Sequence, residues 1–210
     1  MLQYNPNATI ITIDQPNIDR IELEIRNKCP LIIKSIPNHA DLTIESMNYR
    51  IPGYIIKDGN TLISLDKLQK SDIISIYKNS RLVEDYQLTT YYSSLEGLFS
   101  SYFTCGSNSY LSLYRGTHTT PLLKNYRETL LIQPISGQVI IYLFNPKHER
   151  DIKGQESIKK WGIRLELNKD NLLYIPPEWY YFYESHEEVI LAHIETDSYS
   201  TFLFNYLRKK

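Results

Sequence analysis

Valine and alanine are nearly absent from this chain: valine occurs only at Val83, Val139 and Val189, and alanine only at Ala8, Ala40 and Ala192. Tyrosine occurs 18 times, and isoleucine and asparagine are abundant. Ile, Asn, Lys and Tyr have AT-rich codons and Ala has GC-rich ones. The bias therefore reads as the coding of an AT-rich genome, such as large DNA viruses and some protists carry. It bears on origin more than on mechanism.

Cysteine is also scarce. Cys29 and Cys105 lie far apart and form no metal-type spacing, so two reduced thiols in a cytosol-like compartment are expected, with a single disulfide as the alternative. An excess of either charge is missing: Lys and Arg number 23 and Asp and Glu 24, for a net charge of -1. That argues against a nucleic-acid partner, which calls for a clustered basic surplus. Arg208-Lys209-Lys210 reads as a solvated end. No apolar run approaches the roughly 20 residues that span a bilayer. Met1 to Pro6 lacks the basic and apolar regions of a signal peptide. The expectation is a soluble protein, cytoplasmic or in a virion, not secreted, with no membrane or nucleic-acid partner.

The 210 residues contain no repeat, low-complexity tract or Gly/Ser linker, which predicts a single domain. Early strands are expected at Ile10–Ile13, Ile21–Ile25, Leu31–Ile33, Leu42–Ile44 and Tyr54–Ile56, with a turn at Asp58-Gly59-Asn60 before Thr61–Ile63. Ser64 and Ser94 are candidate caps for short helices over Leu65–Leu68 and Leu95–Phe99. The second half reads as β: Tyr110–Tyr114, Thr129–Gln133 and Val139–Phe144 around a Ser136-Gly137 hairpin turn, then Leu172–Ile175, Trp179–Tyr183 and Glu188–Ile194. Asn145-Pro146 ends a strand. Ser200–Arg208 is expected to close the chain as an amphipathic helix.

Three blocks of that second half carry a family likeness. Gly116 to Asn125, with Thr120-Pro121, resembles a G-x-x-x-T-P-x-H-x-D segment; Leu130 to Pro146 resembles the hairpin that follows it; Ile175 to Ser185 resembles "IPxxWxHxxES". Asn27 to Lys34 adds a weaker likeness to an early "xxPxVIK" strand. Together they resemble the JmjC-type cupins, the cupin-8-like hydroxylases of the factor-inhibiting-HIF kind that use Fe(II) and 2-oxoglutarate. The likeness is specific from about Gly116 to Ser185. It implies a mainly β fold, a double-stranded β-helix or jelly roll, with an N-terminal αβ extension (about 1–105), a barrel core (about 106–197) and a C-terminal helix (about 198–210).

The family's chemistry needs two histidines and a carboxylate on one face of an iron. The resemblance places these ligands at Leu123, Asn125 and Tyr181, and the lysine that holds 2-oxoglutarate near Val139. Leucine cannot ligate, an asparagine carbonyl is a weak neutral ligand, and a tyrosine must first lose a proton with a pKa of about 10. Only Thr120 matches a residue that contacts 2-oxoglutarate in relatives, and a threonine before proline serves equally as a turn residue. The expectation is a pseudoenzyme with no catalytic residues, no metal and no cofactor.

The remaining candidates are few. His39, His148 and His186 fall in polar or charged loops, and His118 lies five residues before the first ligand position. His193 alternates with Ile190, Ala192 and Ile194, so it faces the barrel interior, where it is expected to pair with Tyr181. Thr120, Tyr181 and His193 are thus the candidate cavity-lining residues. Trp179, Tyr180, Phe182 and Tyr183 read as strand packing or as a partner surface. The leading function is a binding or structural scaffold that associates with a protein partner or with itself, in keeping with a large-virus component. Tyr199 to Arg208 is a candidate interface. The alternatives are an Fe(II)/2-oxoglutarate hydroxylase with relocated ligands and a small-molecule-binding cupin.

Overall fold

The computed structural model describes residues 4–36, 42–58, 61–99, 104–152 and 158–208. The chain is mainly β. Its N-terminal half runs β1 (Ile11–Ile13), α1 (Ile18–Arg26), β2 (Leu31–Ile33), α2 (Ile44–Arg50), β3 (Ile55–Asp58), β4 (Thr61–Ser64), α3 (Leu65–Gln69), β5 (Ile74–Asn79), α4 (Arg81–Asp85) and α5 (Thr89–Gly97). The rest runs β6 (Thr104–Arg115), β7 (His118–Thr119), β8 (Leu123–Lys124), β9 (Thr129–Ser136), β10 (Val139–Phe144), α6 (Glu149–Ile152), β11 (Ile163–Leu167), β12 (Leu172–Ile175), β13 (Tyr180–Ser185), β14 (Val189–Ser198) and α7 (Tyr199–Arg208).

The strands build a seven-stranded sheet in the order β1-β2-β12-β9-β14-β6-β5 and a five-stranded one in the order β11-β10-β13-β7, with β8 also paired to β13. From β6 onward the chain passes repeatedly between them: β6, β9, β12 and β14 lie in the larger sheet, and β7, β8, β10, β11 and β13 in the smaller. Between the sheets lies one apolar core, to which Leu130, Ile132 and Leu191 come from one side and Val139, Ile141 and Leu143 from the other. A second core covers the far face of the larger sheet, where Ile21, Met47, Leu82 and Leu95 of the helices meet Leu111, Leu113 and Leu131. The N-terminal segment also extends that sheet at both edges, because β2 pairs with β12 and β5 with β6.

Local chemistry corrects several sequence expectations. Ile21–Ile25 is part of helix α1 rather than a strand. The Asn17 side chain accepts from the Arg20 N–H at 3.0 Å, capping a helix whose Ile18, Ile21 and Ile25 recur at helical spacing. The Ile21/Leu23/Ile25 alternation is misleading, since Leu23 is exposed while Ile21 is fully buried. Leu42–Ile44 is not a strand either: Thr43 and Ser46 form a reciprocal capping box that opens α2. Ser64 caps α3 as expected. Ser94, in contrast, lies inside α5, where its hydroxyl donates to the Tyr91 carbonyl at 2.7 Å. β3 and β4 pair as a hairpin through Asp58 and Thr61, and Gly59 and Asn60 of the expected turn lie outside the described residues, as does His39.

The Ser136-Gly137 turn does not make a hairpin. β9 pairs with β12 and β14, and β10 with β11 and β13, so the turn carries the chain from one sheet to the other. Gly137 has φ +75°, and a Cβ there would meet the Glu188 carbonyl oxygen at 2.2 Å, so only glycine fits this corner.

Candidate functional site

Strands β8 and β13 pair with Leu123 directly opposite Tyr181. Two of the three expected ligand positions are therefore cross-strand neighbours, and the third follows at once, with the Asn125 N–H donating to the Trp179 carbonyl at 2.9 Å. The structure brings the three positions together, and their chemistry can be judged one by one.

Leu123 packs against the apolar core between the sheets. Asn125 is buried, and its side-chain amide is fully committed. Its Nδ2 donates to the carbonyls of Ile175 at 2.8 Å and Pro176 at 3.0 Å, and its Oδ1 accepts from the Arg127 N–H at 2.9 Å. With the backbone bond from Glu178 to the Asn125 carbonyl at 2.8 Å, this residue staples the β12–β13 connection to the end of β8. Tyr181 is buried, and burial first, then neighbouring Tyr77 and Glu195, holds its phenol well above the ordinary tyrosine range. Val139, at the expected lysine position, is an apolar member of the same core. These residues do not fit an iron. Among the described residues no three His, Cys, Asp or Glu side chains gather into a metal-holding group.

Thr120 is buried and borders a hollow with Leu122 and Phe182. Its backbone N–H donates to the Tyr183 carbonyl, and its Oγ1 accepts from the Tyr183 N–H, both at 3.0 Å, bridging the gap in the ladder between β7 and β8. Its role is structural, because both groups are spent on β13. Trp179 and Tyr183, with Tyr181, point between the sheets, while Tyr180 and Phe182 pack on the outer face with Tyr142, Phe144 and Ile152. All are buried within the chain, so the aromatic run is packing on both sides of β13 and offers no exposed surface.

His193 does face between the sheets, fully buried. Its expected pairing with Tyr181 is replaced by another. His193 Nε2 lies 3.1 Å from Ser112 Oγ, which also accepts from the Lys78 N–H at 2.9 Å, and Nδ1 has no hydrogen-bond partner among the described residues. Beside it, the Tyr114 and Tyr183 hydroxyls are bonded at 2.8 Å, and His118 stacks on the Tyr114 ring at 4.4 Å. Of the other described histidines, His186 is exposed, and His148 is half-buried beside Asp151 and Trp161. Glu188 holds the α2 N-terminus and Arg115, not a metal cluster.

Four residues that sequence reasoning missed complete the interior. Glu195 and Asp197 continue the inward alternation of β14 past His193. Lys78 bonds one oxygen of Glu195, and the Arg127 Nε bonds the other at 2.9 Å while its Nη1 reaches Asp197. Burial pulls the Lys78 ammonium down, but Glu195 and Tyr77 more than offset it and leave its pKa raised. The result is a charge-balanced quartet at one end of the space between the sheets. The signal for it was an acidic pair at inward positions, which demands cations.

Burial first, then nearby Lys78, lowers the His193 pKa well below its ordinary 6.5. A base kept neutral in the fold, but free to ionise when unfolded, gives stability that is complete above 6.5 and is lost as the pH falls below it. Tyr77, Tyr183, Ser112 and Lys78 face this imidazole, and none is an acid that would welcome its proton. His193→Gln should therefore flatten the acid side of the stability curve by up to about 1.4 kcal/mol per pH unit. Urea titrations of both proteins between about pH 4 and 7 check this, and parallel curves would refute it.

Comparison of the chain with protein-family models and with curated proteins returns no match.

Proposed function

We propose that the chain is a catalytically inactive relative of the JmjC-type cupins, a double-stranded β-helix reused as a binding or structural scaffold. Support for the fold reading comes from the strands after β6, which alternate between two facing sheets in the manner of a jelly roll. The observation that carries the functional reading is Asn125. At the position where the family holds a carboxylate ligand, both ends of a buried amide are consumed by backbone groups, the nitrogen by the Ile175 and Pro176 carbonyls and the oxygen by the Arg127 N–H. A composition biased toward AT-rich codons suits a component of a large DNA virus.

A scaffold works through its surface, and α7 is the candidate. The helix is inverted: its buried residues are the polar Thr201 and Asn205, while Tyr199, Phe202, Leu203, Phe204, Tyr206 and Leu207 face outward at 41–70% exposure. Four of these are aromatic side chains of about 150–250 Å² each. The exposed apolar surface is thus on the order of 600 Å², against the roughly 800 Å² per partner of a standard interface. The partner we assign is a second copy of the chain, because an uncharged face carries no like-charge penalty when it pairs with itself about a twofold axis. Light scattering should give twice the 24.7 kDa chain mass for the native protein and the single mass for Leu203→Asp/Leu207→Asp. Both leucines are exposed, so the fold should survive the change. A native protein that stays monomeric at tens of micromolar would remove this interface.

A further inference from the structure

The ion quartet borders a hollow of 340 Å³, within the roughly 300–1,000 Å³ range of small-ligand sites. Four cations line it: Lys78 from β5, Lys124 from β8, Arg127 from the segment after β8, and Arg208 from the last turn of α7. The only carboxylate among the described lining residues is Glu195, and both of its oxygens are already taken by Lys78 and Arg127. Asp197 and Glu178, which balance Arg127 and Lys124, do not line the hollow. Arg208 has no carboxylate partner among the described residues. Its guanidinium carbon lies over the Tyr126 ring, 3.4 Å from the centroid, a contact with the aromatic face that leaves the charge without a counter-ion among the described residues. Tyr110 gives the hollow a second aromatic wall and a hydroxyl with no hydrogen-bond partner among the described residues.

Four cations face one carboxylate in this lining, and Arg208 is the one among them without a carboxylate partner among the described residues. We propose that this hollow binds a small organic anion, with its acidic group on Arg208 and Arg127 and its flat or apolar body between Tyr110 and Tyr126. Asn125 and Tyr181, two of the family's ligand positions, also line the hollow, but the assignment is argued from its charge and its tyrosine walls and not from the family reading. Charge complementarity fixes the sign of the ligand, and the tyrosine walls distinguish an organic anion from a bare ion. Ionic attraction in a partly enclosed site also makes the binding sensitive to salt.

The test uses the full chain and three probes: phenyl phosphate, inorganic phosphate and benzyl alcohol. Calorimetry should show saturable binding of phenyl phosphate, at least about ten-fold weaker binding of inorganic phosphate, and none of benzyl alcohol. Arg208→Gln should weaken phenyl phosphate by about ten-fold or more, and Tyr126→Leu should weaken it as well. Circular dichroism of both variants should match the native protein, since neither side chain is buried. No saturable binding of phenyl phosphate, equal binding by Arg208→Gln, or equal binding of the neutral probe would each overturn the proposal. Tighter binding of inorganic phosphate than of phenyl phosphate would overturn the organic-anion assignment.

Discussion

Asn125→Asp, the change that restores a family ligand, is expected to destabilise the protein by about 4 kcal/mol and to bring no metal binding with it. The substitution removes one nitrogen and its two donated bonds. In their place a carboxylate oxygen would face the Ile175 and Pro176 carbonyl oxygens at 2.8 and 3.0 Å, where nothing can donate. Each orphaned buried acceptor costs about 1–3 kcal/mol, and the new charge adds its own desolvation. Only the bond from the Arg127 N–H survives. For a chain of this size the loss corresponds to a fall in Tm of roughly 10 °C. Protonating the aspartate returns one donor, and the facing carbonyls raise its pKa, so the deficit should shrink as pH falls toward the ordinary aspartate value of about 3.9. Thermal melts across pH check both statements, and a variant within about 1 kcal/mol of the native protein would show that the amide is not the staple described above.

Glu195→Gln is the second large effect, at about 3 kcal/mol. One carboxylate serves two cations, and its side chain is 8% exposed while those of Lys78 and Arg127 are 19% and 25% exposed. Removing the negative charge strands Lys78 and leaves Arg127 with Asp197 alone. Partial exposure of the cations keeps the cost at the lower end of the range for broken buried pairs. The same change at Glu22, paired with Arg26 on the surface of α1, should stay within about 0.5 kcal/mol. Because the folded Lys78 pKa is raised, its contribution is fully present below its ordinary 10.5 and fades only as pH rises through the folded value. Lys78→Met/Glu195→Leu should recover most of the loss, since the penalty lies in the stranded charge. Urea unfolding of the single and double variants decides the point, and equal losses in both would refute it.

The sequence carried the β half of the molecule well wherever a local pattern sufficed. The alternation Val189, Leu191, His193 marks the inward face of β14, and Pro176-Pro177 marks the corner between β12 and β13. It failed where pairing is non-local. Ser136-Gly137 has hairpin chemistry, yet Val139–Phe144 finds its partners in β11 and β13, so nothing nearby reveals that the turn crosses between sheets. Thr43 and Asn17 cap helices α2 and α1 where short apolar runs suggest strands instead. In the site, Leu123, Asn125 and Tyr181 are singled out by the family resemblance alone, whereas the commitment of the Asn125 amide depends on a carbonyl 50 residues away. Lys78 is not legible in the sequence because its place in the interior depends on the non-local pairing of β5 with β6.

The most direct measurement is an anaerobic Fe(II) titration of the purified chain with 2-oxoglutarate present, followed by admission of oxygen and an assay for succinate. The account predicts no stoichiometric iron and no turnover above the protein-free control. One equivalent of Fe(II) together with 2-oxoglutarate consumption would contradict it.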